Sequence, residues 1–176
     1  MTGMRWLTFL VLMIVALVLQ SALAPRIEIA GTRPDWLLVV VVFFAMHASA
    51  REALLGAWLT GACADLLTIE RFGVLALSYG VAAMLVLPTR DYVFRGAGWP
   101  QFLVTLGVCV LIRTVWIVYY HAVYDPARSI FLELAAGVLL ASLYTALWAP
   151  LLHRVLLPWW RALGLPRPVY LPRRSK

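Results

Sequence analysis

The sequence predicts an all-α fold, a polytopic bundle of six transmembrane helices. Three observations carry this. Of 176 residues, 64% are hydrophobic and 13% charged, with a mean hydropathy of +0.89, against about 45–50% and 25% in soluble domains. The apolar residues gather into six runs at or near the length of ~20 residues that a membrane span needs. Short connections rich in Pro, Gly and charge separate them, which makes one compact domain over residues 1–158 and leaves a basic tail at 159–176. A core of this size cannot hide so many apolar side chains, so the excess faces lipid. That excludes a soluble enzyme, a disordered chain and a secreted disulfide scaffold.

The first span is expected at residues 6–24, interrupted only by Thr8, Gln20 and Ser21. Arg5 and Ala22-Leu23-Ala24 imitate a signal peptide, but Pro25 hinders cleavage there, so the segment is read as a retained anchor. Residues 26–34 form a turn, and a short second span covers 35–48, ending at the polar step 49–52. The third, 53–69, carries Asp65; the fourth, 72–87, stops at Pro88, which lacks the N–H a helix needs. A polar loop, 89–98, leads to the fifth span at 99–124, which contains Arg113. Asp125-Pro126 marks a turn. The sixth span, 130–157, either tilts or breaks at Pro150.

The net charge of +7 is an orientation signal. With a cytoplasmic N-terminus, the inner side holds Arg5, Arg51, Arg90, Arg95, Arg154, Arg161, Arg167, Arg173, Arg174 and Lys176, and the outer side only Arg26, Arg33, Arg71 and Arg128. Both termini are therefore expected in the cytoplasm. From Arg154 onward there are six basic residues and no acid, a tail suited to anionic lipid and to no nucleic acid. Trp159, Trp160 and Arg161 read as an interfacial belt.

Charges inside the membrane each cost at least ~2.5–3.5 kcal/mol on insertion scales, so each needs a reason. Asp65 lies twelve residues into its span, ~18 Å above the inner end, and Arg113 fourteen residues into its own, ~21 Å up. The two share a level. Either they form a buried ion pair, or Arg113 reaches the outer headgroups while Asp65 is protonated or faces a wet cavity. Ala53, Ala57, Gly61 and Asp65 recur every four residues, a small-residue stripe that lets helices approach closely in lipid. On this reading Asp65→Leu or Gly61→Leu weakens assembly with a partner more than insertion.

Arg33-Pro34-Asp35 stands at the outer end of the second span, where an acid suits the positive end of a helix. Phe72-Gly73 opens the fourth span with Ser78 beyond it, and Glu133 lies near the start of the sixth. Asp35, Asp65, Arg113 and Glu133 all fall in the outer half, as expected of an outward polar pocket or a partner seam. His47, His121 and His153 close three spans on both sides of the membrane, so they read as interfacial tips that do not meet on one metal. Cys63 and Cys109 are lone and predict neither metal nor disulfide.

No catalytic set emerges. A metal-dependent phosphotransferase needs several acids on neighbouring turns, and Ser78 and Ser142 have no His at their depth. No phosphate-binding glycine loop is present. The chain is expected to be no enzyme and to need no cofactor.

Three stretches in order, Arg33-Pro34-Asp35-Trp36-Leu37-Leu38, Gly61-Ala62-Cys63-Ala64-Asp65-Leu66-Leu67 and Phe72-Gly73-Val74-Leu75-Ala76-Leu77-Ser78, resemble the MreD family of rod shape-determining membrane proteins. The matching part covers residues 33–80. The resemblance implies a non-enzymatic scaffold or regulatory subunit of the bacterial cell-elongation machinery, in the inner membrane, that helps control peptidoglycan synthesis. Its implied partners are MreC, a single-span protein with a periplasmic coiled coil, and the wider set of MreB, RodA and the penicillin-binding transpeptidase, in a complex with two copies of each subunit. It also implies a fold similar to the S components of vitamin transporters, which gives the alternative function: a small-molecule-binding transporter subunit.

Overall fold

A computed structural model describes residues 5–29, 31–67, 73–90, 98–124 and 131–165, with side chains except at 98, 119–124 and 131–135. It contains α1 (Trp6–Ala22), α2 (Trp36–His47), α3 (Ala50–Asp65), α4 (Val74–Val86), α5 (Gly98–Tyr124) and α6 (Phe131–Leu156). Short 3-10 turns follow α1, α4 and α6 at Ala24–Ile27, Leu87–Thr89 and Leu157–Trp160. Among the described residues there is no strand, only an isolated pairing of Ile29 with Thr32 across Gly31. α5 and α6 contain stretches long and apolar enough to cross a membrane, and shorter apolar helices lie at Trp6–Ala22, Trp36–His47 and Val74–Thr89.

α2 is the central post. WLLVVVVFFAMH is apolar all round, and every one of its residues is buried, as a helix without a polar face must be. It packs against α1, α3, α4, α5 and α6. Around it the outer helices show two faces. In α1, Phe9, Met13 and Ala16 point inward while Leu7, Val11, Ile14, Val15 and Val18 are exposed. Phe9 meets Phe44 edge-on at 4.9 Å and lies over Gly56 of α3, so α1 is an integral part of the bundle. Leu55, Leu77, Val81, Leu111, Val115, Leu147 and Leu151 likewise put apolar side chains on the outside.

Several boundaries differ from expectation. α3 starts at Ala50, three residues early, because Ser49-Ala50-Arg51-Glu52 is a capping box. The Ser49 hydroxyl donates to Glu52 Oε2 at 2.7 Å and accepts from the Glu52 amide at 3.4 Å. α3 ends at Asp65, not 69, because Asp65 serves the next helix, and α4 starts at Val74 after Gly73 in the left-handed region (φ 100°). Pro150 lies inside α6 and does not end it. The chain after α6 also belongs to the bundle for longer than expected. Leu163 and Leu165 are buried, and the Arg5 amide donates to Leu163 O at 3.0 Å, so residues 159–165 close the end of the bundle at the start of α1. Arg161 lies over the Trp160 ring at 5.2 Å. Arg167, Arg173, Arg174 and Lys176 lie outside the described residues.

Candidate functional site: a polar bay between α2, α4, α5 and α6

Twelve residues of α2 rise only ~18 Å, less than the ~30 Å hydrocarbon core, so an end of this helix lies inside the bundle. A helix start carries N–H groups without intrahelical acceptors, and inside a membrane the protein must supply them. Three side chains do so here, and a fourth holds the capping carboxylate. Asp35 is the N-cap, its Oδ1 accepting from the Leu38 amide at 3.0 Å. Gln20 of α1 accepts from the Trp36 amide at 2.9 Å and donates to Pro34 O at 3.0 Å. Thr145 of α6 accepts from the Asp35 amide at 3.1 Å. From α4, the Tyr79 hydroxyl donates to Asp35 at 2.9 and 3.1 Å from its two carboxylate oxygens. The preceding loop is tied down as well, by Tyr144 donating to Ile27 O at 2.7 Å and by an Arg33–Glu28 ion pair.

Arg113 stands on α5 beside this cap. Its charge acts on the Asp35 carboxylate through space, and both line a cavity of about 420 Å³ with Ser78, Tyr79 and Trp116. The Trp116 indole donates to the Ser78 hydroxyl at 3.2 Å, and Ser78 donates to Val74 O at 2.8 Å, which joins α4 to α5. On the other side of Asp35 and Arg113 lies a second cavity of about 830 Å³, bordered by Gln20, Ser21, Thr32 and Arg33. Tyr79→Phe removes a hydrogen bond to a carboxylate, a type that contributes about 1.5–3 kcal/mol. It is expected to lower the unfolding temperature in detergent while leaving helix content unchanged, as read by circular dichroism.

Asp65 does not sit across from Arg113. Its carboxylate is buried and accepts from the amides of Gly73, Leu75 and Ala76 at 3.0, 2.9 and 3.0 Å, capping α4 from the end of α3. The ion pair expected from their common depth is replaced by Arg113 beside Asp35, because depth along a helix says nothing of azimuth. Ala53, Ala57 and Gly61 are buried with it. At Gly61 a Cβ would stand 2.4 Å from Ala76 Cα and 2.6 Å from Ala76 N. The stripe is thus used within this chain, where α3 lies backbone to backbone on the first turn of α4. Arg33 and Pro34 border the outer cavity, and Asp35, Ser78 and Arg113 come together. Phe72 and the side chains of His121 and Glu133 lie outside the described residues.

Two histidines depart from expectation. His47 and His153 are buried, not interfacial tips, with ring centroids 6.0 Å apart around Phe43. Each Nδ1 lies 2.8 Å from the carbonyl four residues earlier, of Phe43 and Ala149. Both close spans on the same side in the expected topology, which was the available signal. Among the described residues no group of three His, Cys, Asp or Glu side chains is placed to hold a metal ion. Cys63 and Cys109 are free thiols.

An apolar exterior, a wholly buried central helix and carboxylates committed to helix starts define an integral-membrane helical bundle. The chain belongs to the MreD family: the family model for rod shape-determining protein MreD matches residues 2–164. Searches of curated proteins and of solved structures find no significant match, so the S-component likeness has no structural counterpart to set beside it.

Proposed function

We propose that this chain is a multi-pass, non-enzymatic subunit of the cell-elongation machinery that binds MreC and helps control peptidoglycan synthesis. The observation that carries this is the family match over residues 2–164. The interior chemistry agrees with it: Asp35 and Asp65 are engaged in holding helix starts. A scaffold needs a rigid bundle with apolar outer faces that other spans can meet. The distribution of Lys and Arg supports a topology with both termini in the cytoplasm and the last basic residues against anionic lipid. MreB, RodA and the penicillin-binding transpeptidase are the wider assembly, and two copies of each subunit the proposed stoichiometry.

Gentle purification of the tagged chain from its own membranes, with identification of what accompanies it, tests the reading. A single-span protein with a periplasmic coiled coil is expected in near-stoichiometric amount. Recovery of an ATPase module or a bound vitamin in its place contradicts the scaffold role.

A further inference from the structure

We infer that Arg113 and the groove between α4 and α5 form a binding site for one anionic phospholipid, its phosphodiester on the guanidinium and an acyl chain along the groove. This goes beyond the scaffold role and requires only that the chain lie in a membrane.

The polar half of the argument starts from donors without acceptors. A guanidinium carries five N–H groups that lose water on entering a bilayer. Among the described residues, Arg33 finds Glu28 and Arg90 donates to Ala48 O, whereas no hydrogen bond from Arg113 is formed. Asp35 attracts it through space, but that carboxylate is already engaged by the Leu38 amide and the Tyr79 hydroxyl. The cation therefore lacks an acceptor with one negative charge. A phosphodiester supplies one charge and two oxygens in the geometry that a guanidinium grips with paired hydrogen bonds.

The apolar half lies next door. The 420 Å³ cavity at Arg113 shares Ser78, Ile112 and Trp116 with a groove of about 610 Å³ between α4 and α5. Leu77, Val81 and Leu85 line one wall, Leu111 and Val115 the other, and Leu77, Val81, Leu111 and Val115 are exposed on the outside of the bundle. From Val74 to Leu85 the groove follows eleven residues of helix, or ~17 Å, which seats much of one acyl chain. It is apolar except where Ser78 and Trp116 meet, about one helical turn from its Val74 end, and from there to Leu85 it follows seven residues, or ~10 Å. A cationic head site beside an apolar slot, with Ser78, Ile112 and Trp116 common to both, matches the two parts of a phospholipid.

Native mass spectrometry of the full chain in mild detergent tests this, with added phosphatidylglycerol, diacylglycerol of the same chains, or inorganic phosphate. The wild type is expected to retain one phosphatidylglycerol, to reject diacylglycerol, and to keep its lipid when phosphate is added. Arg113→Gln should weaken retention at least about tenfold, the loss expected of one charge-assisted hydrogen bond, and Arg113→Lys by less. Val81→Trp fills the slot from a lipid-facing position, so it should block retention with the fold intact by circular dichroism. Equal retention by Arg113→Gln and Val81→Trp overturns the inference. So does equal binding of diacylglycerol, displacement by free phosphate, or a partner helix cross-linked at Val81 that excludes the lipid.

Discussion

Gly61→Ala is expected to destabilise the bundle by about 3 kcal/mol, at the upper end of what overpacking does, and Gly61→Leu to keep α3 and α4 from closing. The added Cβ at Gly61 meets Ala76 Cα at 2.4 Å, Leu75 O at 2.5 Å and Ala76 N at 2.6 Å. All three are backbone atoms, so no rotamer change relieves the clash and α4 as a whole must retreat. Retreat also stretches the hydrogen bonds from Gly73, Leu75 and Ala76 to Asp65, one helical turn beyond Gly61. Gly107→Ala is the control. A Cβ there meets nothing within 4 Å, and alanine gains up to about 1 kcal/mol of helix propensity over glycine. Unfolding of both variants in mixed micelles with increasing SDS is the measurement: a fall in midpoint for Gly61→Ala, with none for Gly107→Ala.

Asp65→Leu is expected to have the other large effect. It leaves the amides of Gly73, Leu75 and Ala76 without this acceptor. A buried donor left unsatisfied costs about 1–3 kcal/mol, so the sum is on the order of 4 kcal/mol after relaxation. Asp65→Asn keeps one carbonyl oxygen and should fall between. Pulse proteolysis in detergent across the set reads the order wild type, Asn, Leu. Because Arg113 is not the partner of Asp65, exchanging the two charges should not rescue either single exchange. These effects act on the chain's own fold, where Asp65 and Gly61 are engaged between α3 and α4.

The helices were legible because runs of lipid-facing side chains are a strong signal in a chain with 64% hydrophobic residues. The α2 N-terminus was half legible: Asp35 at a helix start suggests a cap by itself, but Gln20, Tyr79 and Thr145 lie up to 110 residues away and carry no local mark. The ion pair of Asp65 with Arg113, one of the two readings of their common depth, is not formed; Asp65 caps α4. Helix rise fixes depth, while azimuth depends on how α3, α4 and α5 pack, so Asp35 and Arg113 line one cavity instead. One physical clue pointed the right way. α4 starts nine residues after Asp65, and a helix start inside the bundle needs an acceptor. The Ser49-to-Glu52 capping box was readable and moves the start of α3 to Ala50. The meeting of His47 and His153 needed only the parity of their two spans.

Amide hydrogen exchange at Gly73, Leu75 and Ala76 tests most directly that the membrane carboxylates hold this chain's own helix starts. In wild-type protein in nanodiscs the three amides should exchange slowly, and at least about tenfold faster in Asp65→Asn, with the middle of α5 unchanged. Rapid exchange of these amides in the wild type, or protection that does not depend on Asp65, contradicts that assignment and returns Asp65 to the list of groups free for other chemistry.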